Sequence, residues 1–119
     1  MKVRRVVPNL RGRRMPESRT FYQDVIGLKL SMDMGWIVSF SSPDNETAQL
    51  SVITADATAP THPDVSIEVG DLDAVHARAV ANGAEIVYPP TVEPWGVRRF
   101  FVRDPNGVVI NVLTHVGKT

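Results

Sequence analysis

The side chains able to take part in chemistry are few and unevenly spread. The chain has three histidines and no cysteine. Without thiols there is no disulfide framework, zinc ribbon, iron–sulfur cluster or sulfur nucleophile. His62 sits in a polar stretch. His76 falls mid-helix, on the side away from a sheet or at its edge, and reads as a solvated side chain. His115 closes the last strand and shares parity with Asn111 and Leu113, so the three face one surface. Arg98, Arg99 and Arg103 alternate around Phe100 and Phe101. Strand parity puts one of Arg98 and Arg99 on any given face, without saying which, and an arginine facing a ligand pairs with its carboxylate or phosphate. Trp36 and Phe40 share a face of one strand. They either pack a core or line a cavity whose walls Tyr88 and Trp95 complete. Arg4, Arg5, Arg11, Arg13 and Arg14 crowd the first turns of the chain. With no aromatic interleaving, they read as a solvated edge rather than a nucleic-acid arm. No spacing fits a Ser–His–Asp triad, a phosphate-cradling glycine loop or paired carboxylates.

These groups must be held by local structure. Val3, Val6, Val7 and Leu10 suggest a first strand, broken by RGRR at 11–14. Pro16 and Glu17 suit a helix first turn, and Phe21, Tyr22, Val25 and Ile26 continue at helical spacing to a capping Gly27. Strands are expected at 28–32, 36–41 and 49–54, with PDNE at 43–46 as a turn. ADATAPTHP at 55–63 has linker composition. The pattern then restarts. Val65, Ile67 and Val69 alternate, Asp71 can cap the helix LDAVHARAVAN, and Gly83 ends it. AEIVY is a strand, PPTVEPWG at 89–96 a long loop, RRFFVR at 98–103 a strand, DPNG a tight turn, and VVINVLTHV at 108–116 the last strand. The order is βαβββ, linker, βαβββ, with the two helix ends 56 residues apart, as Gly27 and Gly83 show.

A length of 119 residues suits a single domain, and 43% hydrophobic with 22% charged residues is ordinary globular composition. Thirteen basic residues balance thirteen acidic ones, which argues against a general nucleic-acid binder. No run approaches 18 apolar residues, and the N-terminus lacks a leader pattern. The expectation is a soluble, cytoplasmic protein with no nucleic-acid or membrane partner.

Three stretches, SRTFYQDVIGLKL at 18–30, VSIEVGDLDAVHARAVANGAEI at 65–86 and EPWGVRRFFVRDPNGVVINVL at 93–113, together resemble the vicinal oxygen chelate superfamily. That group includes glyoxalase I, extradiol dioxygenases, and fosfomycin and bleomycin resistance proteins. The PWG, arginine and RDP-x-G sequence is closest to the bleomycin-resistance-like branch. The resemblance implies an α+β fold of residues 1–119 as one domain. Module one (1–54), a linker (55–63) and module two (64–119) would be two βαβββ units forming a cupped mixed sheet with helices on its outer face.

Metal-dependent members hold a divalent ion on the concave face with His, Glu or Gln side chains, at distances of about 2.0–2.3 Å. Carried over position by position, those ligands fall on Val7 (or on Lys2 if the register shifts), near Gln49 to Ser51, on Asp64 and on Asn111. Val7 and Lys2 are not ligands, and Asn111 replaces the usual Glu. The resemblance thus implies a metal-free, cofactor-free homodimer that sequesters an aromatic or amphipathic small molecule such as an antibiotic. Its ligand would lie against Trp36, Phe40, Tyr88 and Trp95, with Gln49, Arg98 or Arg99, Asn111 and His115 fixing polar groups. The alternative is a lyase or dioxygenase using a metal held by Gln49, Asp64 and His115.

Overall fold

The structure, a computed structural model, describes residues 2–116. Eight strands and two helices follow one another as β1 (Val3–Arg11), α1 (Met15–Thr20), β2 (Lys29–Asp33), β3 (Ile37–Ser41), β4 (Gln49–Ile53), β5 (Val65–Val69), α2 (Leu72–Ala81), β6 (Ile86–Val92), β7 (Val97–Arg103) and β8 (Val109–His115). The architecture is α+β with mixed strand pairing. The β1/β4 and β5/β8 pairs are parallel, whereas β2/β3, β3/β4, β6/β7 and β7/β8 are antiparallel.

The chain divides into two compact units, Val7–His62 and the residues up to Val6 together with those from Pro63 onward. The break thus falls inside β1. Its C-terminal residues pair with β4, Asn9 opposite Ser51 and Arg11 opposite Ile53. Its N-terminal end runs beside β5, with the Gly70 amide donating to the Lys2 carbonyl.

In the unit Val7–His62 the strand order is β2-β3-β4-β1. Val38, Phe40 and Val52 form its core with Met15, Tyr22, Leu28, Leu30 and Leu50. Pro16 occupies the first turn of α1, as its fixed φ and missing N–H favour. After Thr20 the helix widens into a π-turn over Phe21–Ile26, closed by Gly27 at φ 93°. The widening changes the face each residue takes. Tyr22 packs on Phe40, whereas Phe21, Val25 and Ile26 are 46%, 67% and 55% exposed. The apolar spacing that suggests a buried helical face here delivers one core residue.

In the other unit the order is β1-β5-β8-β7-β6. Its core comprises Val69, Leu72, Phe100 and Val112, with Ile67, Val75, Ala79, Ile86, Val102 and Ile110 around them. Asp71 caps α2 by accepting from the Ala74 amide at 3.1 Å. His76 is not a solvated side chain: its ring stands edge-on to Phe100 at 5.0 Å, so it belongs to the α2–sheet packing. The expected long loop at 89–96 is also shorter. Strand β6 runs through Pro89 and Pro90 to Val92, its register shifting on either side of Tyr88. It is the terminal strand, where proline's missing donor is tolerated. Asp104 closes the β7–β8 turn by accepting from the Asn106 and Val108 amides, and Gly107 takes φ 86°.

Candidate ligand-binding site

Alternation along β7 and β8 decides which residues share a face. Phe100 and Val112 meet α2, so the registered pairs Phe101 and Asn111, Arg99 and Leu113, and Val97 and His115 lie on the opposite face. On β5, Ser66 stands opposite Asn111 and Glu68 opposite Leu113, extending that face. The same alternation sends Arg98 to the α2 side, where it pairs with Asp73 at 2.7 Å. The Arg98 hydrogen bond holds the Asp73 carboxyl below its ordinary value. Of the two adjacent arginines, Arg99 is therefore the one opposite α2. Arg98 is removed from the expected ligand wall by strand parity.

Three polar groups occupy this face. The first is centred on Arg99, only 3% exposed. Its Nε donates to Glu93 Oε2 at 2.6 Å, and Tyr88 Oη donates to the same oxygen at 3.1 Å. The guanidinium carbon lies 4.8 Å from the Phe101 ring centre, 5.1 Å from Trp95 and 5.5 Å from Tyr88. A guanidinium is weakly hydrated and planar, so it tolerates such an aromatic setting where an ammonium would not. The turn Glu93–Gly96 makes the arrangement possible. Gly96 adopts φ 89°, the Glu93 amide donates to the Val97 carbonyl at 2.8 Å, and the acid returns beside the strand carrying Arg99.

The second group is Asn111, 7% exposed. Its Nδ2 donates to Ser66 Oγ at 3.1 Å, while its Oδ1 is fully buried and accepts no hydrogen bond. Buried acceptors rarely go unmatched, so this oxygen calls for a donor that the described residues do not supply. The third is a chain of charges. Arg5 Nε donates to Glu68 Oε1 at 2.6 Å, and His115 Nδ1 lies 2.7 Å from Glu68 Oε2. Burial pushes the Glu68 carboxyl up, but the hydrogen bonds from His115 and Arg5 together outweigh it and hold the group below its ordinary value.

The structure thus brings Tyr88, Trp95, Arg99, Asn111 and His115 onto one unit's sheet. Trp36, Phe40 and Gln49 belong to the other unit. Phe40 is completely buried in the helix-facing core against Tyr22 and lines no ligand wall; its parity with Val38 decides this. Trp36 is half-buried, and its carbonyl accepts from the Thr54 amide. Gln49 Nε2 donates to the Glu46 carbonyl at 2.7 Å. Glu68 and Glu93, which hold His115 and Arg99, are absent from the sequence reading, and Arg5 is there only as part of a solvated edge. The signal for Glu93 was present: a tight EPWG turn puts residues 93 and 99 on the same side of one hairpin.

The residues at the superfamily's metal positions do not fit an ion. Val7 offers no donor and is buried. Asp64 Oδ2 accepts from the Val109 amide at 3.1 Å and so caps the start of β8. Asn111 supplies a neutral amide where a carboxylate would supply charge. Among the described residues no group of three or more His, Asp or Glu side chains could hold a metal ion.

A family model, the Glyoxalase/Bleomycin resistance protein/Dioxygenase superfamily, matches residues 4–112. The chain belongs to this superfamily. Solved structures agree on its fold. A superfamily member from Vibrio splendidus 12B01 is 17% identical, with 95% of this chain and 99% of that chain covered and a TM-score of 0.65. Methylmalonyl-CoA epimerase from Mycobacterium tuberculosis is 19% identical over 96% of this chain and 87% of that one, with a TM-score of 0.68. The Mn(II)-bound glyoxalase from Novosphingobium aromaticivorans is 20% identical over 95% of this chain and 38% of that one, with a TM-score of 0.66. No curated protein matches the sequence. Among the described residues, no helix of this superfamily member is long and apolar enough to cross a membrane.

Proposed function

We propose that this superfamily member is a metal-independent small-molecule binding protein that sequesters an aromatic or amphipathic ligand such as an antibiotic. One observation carries the reading. Asn111 stands at the position of a metal-binding carboxylate, and its buried Oδ1 is unmatched. A neutral amide there does not hold a divalent ion strongly, but it receives an N–H or O–H from an organic ligand. The half-buried Tyr88 and Trp95 rings, packed around the fully buried Phe101 and Arg99, supply flat apolar surface on the hairpin whose Phe101 stands opposite Asn111. His115, oriented by Glu68, adds a polar group that can face a ligand. Arg99 orders the aromatic rings through its pair with Glu93 rather than serving as a free anion receptor. On this reading the two βαβββ modules form a cup with helices outside it, and the protein works as a cytoplasmic homodimer.

The test is thermal-shift and calorimetric titration with a bleomycin-type glycopeptide and with planar aromatic cations. Wild type is compared with Asn111→Leu, alongside equilibrium dialysis against Mn²⁺, Ni²⁺ and Zn²⁺. A ligand at one hundred times its Kd adds about 2.7 kcal/mol of stability. Asn111→Leu should weaken binding about tenfold, the worth of one buried hydrogen bond of about 1.4 kcal/mol. One tightly retained divalent ion per chain would overturn the reading in favour of a metal-dependent lyase or dioxygenase.

A further inference from the structure

The RGRR segment plays no part in the site above. Its first arginine closes β1, with Arg11 paired in register to Ile53 of β4. The next residue holds it there. The Gly12 amide donates to the Ile53 carbonyl at 3.0 Å, and a Cβ on Gly12 would meet Val52 Cγ1 at 2.6 Å, so only glycine lets the segment lie this close to β4. Arg11 is thereby set at the wall of a cavity of about 320 Å³ that lies wholly within Val7–His62. Thr54, Asp56, Pro60, Thr61 and His62 help to close it.

The polar character of these walls points to a ligand class. Arg5, Arg14, Arg19, Arg98, Arg99 and Arg103 each pair with a carboxylate, whereas among the described residues no acid pairs with Arg11. Asp56, the acid of the cavity, has Oδ1 turned into its own loop, accepting from the Thr58 and Ala59 amides at 3.1 and 3.0 Å. The Thr54 hydroxyl donates to the Trp36 carbonyl at 3.2 Å, so the walls set a permanent cation, an imidazole and the Thr61 hydroxyl around a space of ligand size, with the Asp56 charge held by its own loop amides. We propose that this cavity binds a small hydroxylated oxyanion, a phosphate monoester or a hydroxycarboxylate, through Arg11. Nothing in the proposal depends on Asn111 or on the face opposite α2, so it stands or falls separately from the sequestration reading.

The experiment is an amide chemical-shift titration of the full chain at constant ionic strength, with glycerol 3-phosphate in one arm and malate in the other. Saturating shifts at Thr54, Ala55, Thr61 and His62 are expected in at least one arm, and which arm saturates first identifies the anion. Arg11→Gln should raise the dissociation constant at least tenfold. Arg13→Gln, in the same basic segment but outside the cavity, should leave it within twofold. The proposal is overturned if neither probe saturates. It is equally overturned if Arg13→Gln weakens binding as much as Arg11→Gln, since the segment would then attract anions only by diffuse charge.

Discussion

Arg99 and Glu93 set the energetics of the face opposite α2. Both side chains are almost fully buried, 4% and 3% exposed, so their pairing is unscreened by solvent. Removing both charges from water carries a penalty that the 2.6 Å contact and the surrounding rings offset, and net stabilisation by such a pair is small. Removing one partner is different, because the other is left charged in an apolar setting. Glu93→Ala is therefore expected to lower the unfolding free energy by about 3–5 kcal/mol in urea titration, whereas the double variant Glu93→Leu with Arg99→Met should recover most of it. If the single and double variants were equally destabilised, the pair would not be the unit that matters. Half of this cluster was legible in the sequence. Arg99 was one of two adjacent candidates, and only the position of α2 decides between them. Glu93 went unread because residues 89–96 read as a long loop, whereas Thr91 and Val92 already pair with Arg99 and Arg98 and the turn is only Glu93–Gly96.

Among the elements, what was readable is what local chemistry settles. Asp71 as a cap, Gly27 at a positive φ and the Asp104–Gly107 turn depend on a few neighbouring residues, and all are found where the spacing puts them. The π-turn at Phe21–Ile26 was not readable, since its residues carry an ordinary helical pattern. Nor was the extension of β6 through Pro89 and Pro90, which only its terminal place in the strand order permits. Gly12 belongs with these non-local features, because the Val52 side chain that forbids a Cβ lies on another strand. Gly12→Ala should overpack that crossing and cost about 1–3 kcal/mol, read as a lower urea midpoint with an unchanged slope. An unaltered midpoint would mean that β1 and β4 separate there at no expense.

At the scale of the whole molecule, Glu68 joins the beginning of the chain to its end through Arg5 on β1 and His115 on β8. Its carboxyl lies below the ordinary value of 4.5 in the folded protein, so the unfolded chain binds the proton more readily. The stability this contributes is complete above that ordinary value and is lost as pH falls through the lower, folded one. Glu17, Glu46 and Asp73 shift the same way but are solvent-exposed, where pairing contributes little. Glu68→Gln should thus flatten the loss of stability between about pH 5 and pH 3 in urea titrations, and parallel acid limbs for the two proteins would refute the assignment. The prolines of β6 also have a consequence beyond their own strand. The outermost strand of a sheet offers its backbone to any extended segment that drifts past, and fibrils grow by that invitation. Backbone amides alternate between the two edges of a strand, so the adjacent Pro89 and Pro90 remove one donor from this margin, and a foreign strand laid along it meets a gap in the ladder.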